Sequence, residues 1–148
     1  MTDLAPIATI VLGWDGSPGS VAARAVALRM AAATGAEVVV IRAYSPLDEL
    51  AGHPEGVSFP DLRDAARLAL AEEVCAPFVV AGIACRSELV ERQPPHQVLV
   101  DAARSYGADL LVVGTHGITG WRERVMGGVA AKLLLAAPCP VTVVPPPR

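Results

Sequence analysis

Two glycine-bearing segments carry the residue types that could do chemistry: Gly13-Trp14-Asp15-Gly16-Ser17, and Gly114-Thr115-His116-Gly117 followed, after nine residues, by Gly127-Gly128. Each follows an apolar β-type run and precedes a helical pattern. Where a strand ends on glycines and hands over to a helix, exposed backbone N–H groups and the positive helix end both face an anion. The chemistry on offer is phosphate binding. Asp15 is placed either to touch a ligand or to hold the turn, as Asp often does. His116 could serve as a base, yet no Ser or Cys partner is placed with it. Arg122 and Arg124 fit either bidentate phosphate contacts or a solvated loop face. Trp14 and Trp121 flank the segments, to line the site or to pack a dimer.

The phosphate loop is not of the common kinds. No glycine is followed by Lys-Ser or Lys-Thr, which excludes a P-loop. The first strand's turn lacks G-x-G-x-x-G, and the second strand ends without an acidic residue for a ribose. Metal-ligand patterns are also missing: there is no H-E-x-x-H, no paired Cys and no acidic run. No catalytic residue is assigned.

These segments need elements to position them. Ala8 to Leu12 is a short β run closed by Gly13; Ser17-Pro18 then supplies an N-cap and a first-turn proline. Val21, Ala25, Leu28 and Ala32 fall on one helical face, and Gly35 stops the helix. Glu37 to Ile41 is a β-branched run, apolar on both faces as buried parallel strands are. The segment 44–60, with Pro46, Gly52, Pro54, Gly56 and Pro60, reads as loop. Leu62, Ala66, Leu70 and Val74 mark a helix that Pro77 ends or kinks. Ala84 to Val90, diluted by Arg86, Ser87 and Glu88, suits an edge strand. Pro94-Pro95 opens a helix that Gly107 closes, Leu110 to Val113 is a strand, and a helix near Val129 to Ala136 leads to a last strand, Val141 to Val144. Five strands alternating with four helices imply an α/β fold: one open parallel sheet with helices on both faces. Ligands in such sheets sit beyond the strand C-termini where strand order reverses, so the two glycine segments are expected to meet there.

Composition bounds the function. The chain has 148 residues, 53% of them apolar and 18% charged, which predicts a single globular domain over 1–148. A net charge of −3 gives no electrostatic reason to expect nucleic acid. Apolar runs fall well short of the ~20 residues of a membrane helix. The opening residues lack the basic region and apolar core of a signal peptide, and the expectation is a cytoplasmic protein. Cys75, Cys85 and Cys139 are odd in number and widely spaced, and read as small buried hydrophobes rather than a disulfide framework.

Taken together, the motifs resemble the universal stress protein family. Its nucleotide-binding branch carries G-x2-G-x9-G followed by Ser or Thr, matched here by Gly114, Gly117 and Gly127. The turn Val11-Leu12-Gly13-Trp14-Asp15-Gly16-Ser17 resembles the family's opening motif, and Pro138 to Val144 resembles its closing strand. The likeness runs in order along essentially the whole chain. It implies a Rossmann-like sheet of the adenine nucleotide alpha hydrolase type, with strand order 3-2-1-4-5. The family is usually dimeric, and Val141 to Val144 would otherwise form an exposed apolar sheet edge, so a homodimer through the C-terminal strand is expected. By the same resemblance Asp15 lies against the nucleotide and the main chain of Ala43 against the adenine edge. Gly114 and Gly117 would run along ribose and phosphates, with Gly127, Gly128 and Val129 offering N–H groups to the phosphates. The implied ligand is ATP, with AMP or cyclic AMP as alternatives and Mg arriving only with the nucleotide.

One position departs from the pattern. Gly128 stands where the family has Ser or Thr, removing a hydroxyl whose hydrogen bond to a charged phosphate is worth ~1.5–3 kcal/mol. Two other readings therefore stay open: a dimeric stress or interaction protein that binds no nucleotide, and a weak ATPase.

Overall fold

The computed structural model describes residues 4–51, 53, 55–115 and 126–147. Its elements run β1 (Thr9–Gly13), α1 (Pro18–Thr34), β2 (Glu37–Ala43), α2 (Pro46–Leu50), α3 (Phe59–Ala69), a π-helical turn (Leu70–Val74), α4 (Ala76–Val80), β3 (Cys85–Val90), α5 (Pro95–Ser105), β4 (Leu110–Gly114), α6 (Gly128–Ala136) and β5 (Val141–Val144). The five strands form one sheet of order β3-β2-β1-β4-β5 with every neighbouring pair parallel.

Strand β1 is buried along its whole length because helices cover both faces of the sheet. Ile10, Leu12, Val38, Val40 and Val112 point to one side, against α1, the π turn and α4. Val11, Val39, Ile41, Leu111 and Val113 point to the other, against α5 and α6. The start of β1 is held by Asp109, whose Oδ2 accepts from the N–H groups of Ala8 at 2.8 Å and Thr9 at 3.0 Å. Helix α1 opens as its residues dictate. The Ser17 hydroxyl accepts from the Ser20 N–H, Pro18 fills the first turn, and Gly35 closes the helix at φ 76°. Such an N-cap contributes about 1 kcal/mol.

Three expectations are corrected. Helix α1 buries Ala23, Ala27 and Ala31, whereas Ala25 and Ala32 are exposed and Val21 is 43% exposed. The helix is apolar nearly all round, so periodicity selects no face. Close approach to the sheet then favours the stripe of smallest side chains. Secondly, 44–60 is not all loop. Pro46 starts α2, with Asp48 and Glu49 in its first turn, and Pro60 lies in the first turn of α3 behind the N-cap Ser58. Prolines read as breakers were opening helices. Thirdly, helix and strand do not simply alternate, because the segment between β2 and β3 holds α2, α3, the π turn and α4.

The stripe Leu62, Ala66, Leu70 and Val74 is buried as expected. Four-residue spacing drifts about 40° per step around an α-helix of 3.6 residues per turn. The π turn at Leu70–Val74 takes up that drift and keeps the stripe on the sheet.

Candidate functional site

Beyond the C-terminal ends of β1, β2 and β4 lies a cleft enclosing about 570 Å³, its open mouth included. It forms where strand order reverses: β1 connects onward to β2 on one side of it and pairs with β4 on the other. The floor is apolar, built from Ile41, Ala43, Leu99 and Val113, while Asp15, Ser17, Ser20 and Val129 contribute to the wall.

The turn after β1 explains how Asp15 arrives there. Trp14 continues the ladder by donating its N–H to the Ile41 carbonyl at 2.9 Å. Asp15 Oδ1 then accepts from the Ser17 N–H at 2.9 Å, and Gly16 takes the left-handed conformation at φ 79° that other residues rarely adopt. Asp15 thus holds the turn that caps α1 and also faces the cleft. Trp14 packs partly into the core beneath α1, with the Arg24 guanidinium 5.1 Å from its ring centroid, and lines the cleft as well.

Gly114 closes the opposite side. A Cβ there would stand 2.6 Å from the carbonyl carbon of Gly19 and 2.9 Å from its Cα, so glycine faces glycine where α1 crosses the end of β4. Further along, the Gly127 N–H donates to the Thr115 carbonyl at 2.6 Å, which ties the start of α6 to the strand it follows. Gly127 is the N-cap and Gly128 the first residue of α6. Gly128 is exposed, and a Cβ on it would meet nothing within 4 Å. Val129, one residue on, is half-buried and reaches the cleft wall.

Asp15, Ala43, Gly114 and Val129, named from the sequence, therefore meet around one cleft. Gly127 and Gly128 stand beside it at the N-terminus of α6. Gly117 lies outside the described residues, as do His116, Trp121, Arg122 and Arg124. Sequence reasoning did not single out Leu99 or Ser20. Their only signal was position, Leu99 on the inner face of α5 and Ser20 three residues past the N-cap.

Arg42 was missed too. It ends β2 half-buried, paired with Glu49 of α2 and set over the Tyr44 ring at 5.9 Å. Burial pulls its pKa below the ordinary guanidinium value, while Tyr44 and Asp15 act in the opposite sense. Its side chain leaves β2 on the face opposite Ala43 and does not line the cleft. No group of three or more His, Cys, Asp or Glu able to hold a metal occurs among the described residues. No described helix is long and apolar enough to cross a membrane.

An apolar floor, one carboxylate and a helix N-terminus at the switch point of a parallel sheet define a doubly wound α/β protein with a ligand cleft. The model of the universal stress protein family matches residues 6–145, and the chain belongs to that family. A universal stress protein of Thermus aquaticus is 34% identical over 137 residues, covering 92% of this chain and 97% of that one. Another, from Mycobacterium tuberculosis, is 35% identical over 141 residues, and this chain spans only 45% of its length. Among solved structures, a universal stress protein in complex with cAMP superposes with a TM-score of 0.73 at 27% identity, over 97% of this chain and 100% of that one.

Proposed function

We propose that the cleft binds an adenine nucleotide, with ATP, AMP and cyclic AMP as the ligands to be ranked, and that occupancy alters this chain's conformation or dimer surface in a stress or signalling response. The observation that carries the reading is the convergence of Ala43, Asp15, Gly114 and Val129, from four separate elements, on one apolar-floored cleft. An adenine ring suits the floor of Ile41, Ala43, Leu99 and Val113. Its edge is then met by the main chain of Ala43 and its ribose side by Asp15. The phosphates run past Gly114 and Gly117 toward the N–H groups of Gly127, Gly128 and Val129, where the end of the helix favours negative charge. Magnesium enters with the nucleotide. The cAMP complex of the 27% identical relative supports the choice of an adenine nucleotide.

Calorimetric titration of the nucleotide-stripped chain with Mg-ATP, AMP and cyclic AMP tests this. Saturable micromolar binding of at least one is expected. A folded chain that binds none overturns the reading and leaves the dimeric interaction protein in its place.

The same reading takes residues 1–148 as one domain of a cytoplasmic protein that pairs with a second copy of itself. Strand β5 is the open edge of the sheet, with Val141 and Val143 only half-buried and Leu135 of α6 92% exposed. An apolar edge of this kind is a template for strand pairing. Light scattering at micromolar concentration is expected to give a dimer, and a strict monomer counts against it.

A further inference from the structure

Cys75 and Cys85 are separated in the sequence by α4 and a turn, yet the fold brings them into one cluster on one face of the sheet. Cys75 follows the π turn and is 3% exposed. Cys85 opens β3 at the edge of the sheet and is half-buried. Side chains alternate along a strand, so Cys85 and Ser87, paired in register with Val38 and Val40, point to the face that carries the π turn and α4. Both cysteines belong to the same apolar cluster there, with Leu70, Val74 and Phe78. Each thiol is the strongest influence on the other's ionisation, and Ser87 also acts on Cys75.

We propose that Cys75 and Cys85 form an oxidative modification site: a thiol pair that a hydroperoxide converts to an intramolecular disulfide, stapling α4 to β3. Three features support it. Both residues sit in one apolar cluster on one face of the sheet, so closure needs no change of fold. One partner is half-exposed at a sheet edge, which gives a small oxidant an approach. The pair also loses its first proton readily. The hydrogen bond from Cys85 lowers Cys75 to about 7, against the opposing effect of burial and with help from Ser87. Cys85 is pushed up by that same hydrogen bond, by burial and by the charge on Cys75. One proton is then shared between two sulfurs, and the pair titrates as a unit. In the proposed step the shared proton moves to Cys75, which leaves the thiolate on the half-buried Cys85, the partner an oxidant can approach. Carboxylates of the adjoining π turn, Glu72 and Glu73, are exposed, and Arg86 leaves on the opposite face to pair with Glu37 at 2.9 Å.

The step balances with the peroxide as oxidant. The Cys85 thiolate attacks one peroxide oxygen, the O–O bond breaks, and hydroxide leaves. Cys75 then attacks the sulfur of the resulting sulfenic acid. The S–S bond forms, the S–O bond breaks, and water leaves with the remaining thiol proton. Overall two thiols and one peroxide give one disulfide and two waters. Transient disulfides of this kind are how thiols act in reducing compartments.

The test uses the full chain. Cys75 and Cys85 fall in one tryptic peptide, residues 68–86, and Cys139 in another. After brief exposure to hydrogen peroxide, alkylation and digestion, peptide 68–86 is expected to lack two hydrogens and to carry no alkyl group. Dithiothreitol is expected to reverse this. The Cys139→Ser chain is expected to behave identically. In Cys75→Ser the peptide is expected to carry a sulfenic acid on Cys85 that a dimedone-type reagent traps. Should the wild-type peptide return doubly alkylated, or over-oxidised at separate sulfurs with no loss of two hydrogens, the pair is not a redox site. That readout holds whether or not the Cys75 variant folds.

Discussion

Replacing Gly114 with alanine is expected to destabilise the chain by about 2–3 kcal/mol, the upper part of the range for overpacked cores. The new Cβ would sit 2.6 Å from the Gly19 carbonyl carbon, 2.8 Å from its oxygen and 2.9 Å from its Cα. All three are backbone atoms, so no rotamer change relieves the clash. Gly19 cannot yield cheaply either, because it is buried in the first turn of α1, between Pro18 and the Ser17–Ser20 cap. Either α1 or the end of β4 must move, and both line the cleft. Restricting the unfolded chain returns only about 0.4–1 kcal/mol to the alanine variant. Gly13→Ala is the comparison that isolates the cause. Its Cβ would also come close, 2.9 Å from Val113 Cγ1 and 3.0 Å from Leu99 Cδ1, but these are ends of side chains that can turn aside. Guanidinium denaturation of the three chains, with unchanged slopes, reads the order directly. The midpoint of Gly114→Ala is expected well below that of Gly13→Ala. Equal midpoints would mean that the glycine pair does not set the distance between α1 and β4.

That contact also marks where the sequence was legible and where it was not. The strands could be read because buried parallel strands are apolar on both faces and end at turn residues, as β1 does at Gly13. Even the weak edge strand at Cys85–Val90 showed itself through the polarity of Arg86, Ser87 and Glu88. Strand order came from the resemblance, not from periodicity. The buried face of α1 could not be read, because its many alanines make every stripe equally apolar and the choice lies in helix-to-sheet distance. The π turn was invisible for a related reason: its signal is a spacing of four that an α-helix also tolerates. At the cleft, Asp15 and Gly114 stood out by type and place. Leu99 did not, since it owes its position to tertiary packing, and the same holds away from the cleft for Arg42 and the Cys75–Cys85 pair. By the resemblance, Gly114 would lie along the ribose and phosphates. Its nearest neighbour is instead the backbone of α1, and the room it makes is first of all for packing.

Gly128→Ser is expected to tighten ATP binding roughly ten- to hundredfold, the equivalent of one added hydrogen bond to a charged phosphate at ~1.5–3 kcal/mol. The structure offers the space: a Cβ at 128 meets nothing within 4 Å, and the backbone there is not left-handed, so serine brings no strain. The placement also suits the chemistry. Residue 128 opens α6 directly after the N-cap Gly127, where a hydroxyl joins the unpaired N–H groups of the first turn and the positive end of the helix. Serine further removes some of the conformational freedom that two adjacent glycines carry in the unbound state. Adenosine is the control. Lacking phosphates, it is expected to bind the serine variant and the natural chain equally, which separates a phosphate contact from a general tightening of the cleft. Calorimetry with both ligands on both chains gives the four constants needed. Equal ATP affinity in the two chains would mean that the phosphates do not reach the start of α6. Weaker binding by the serine chain would mean that the open backbone of two glycines, rather than a missing hydroxyl, is what this cleft uses to hold its ligand.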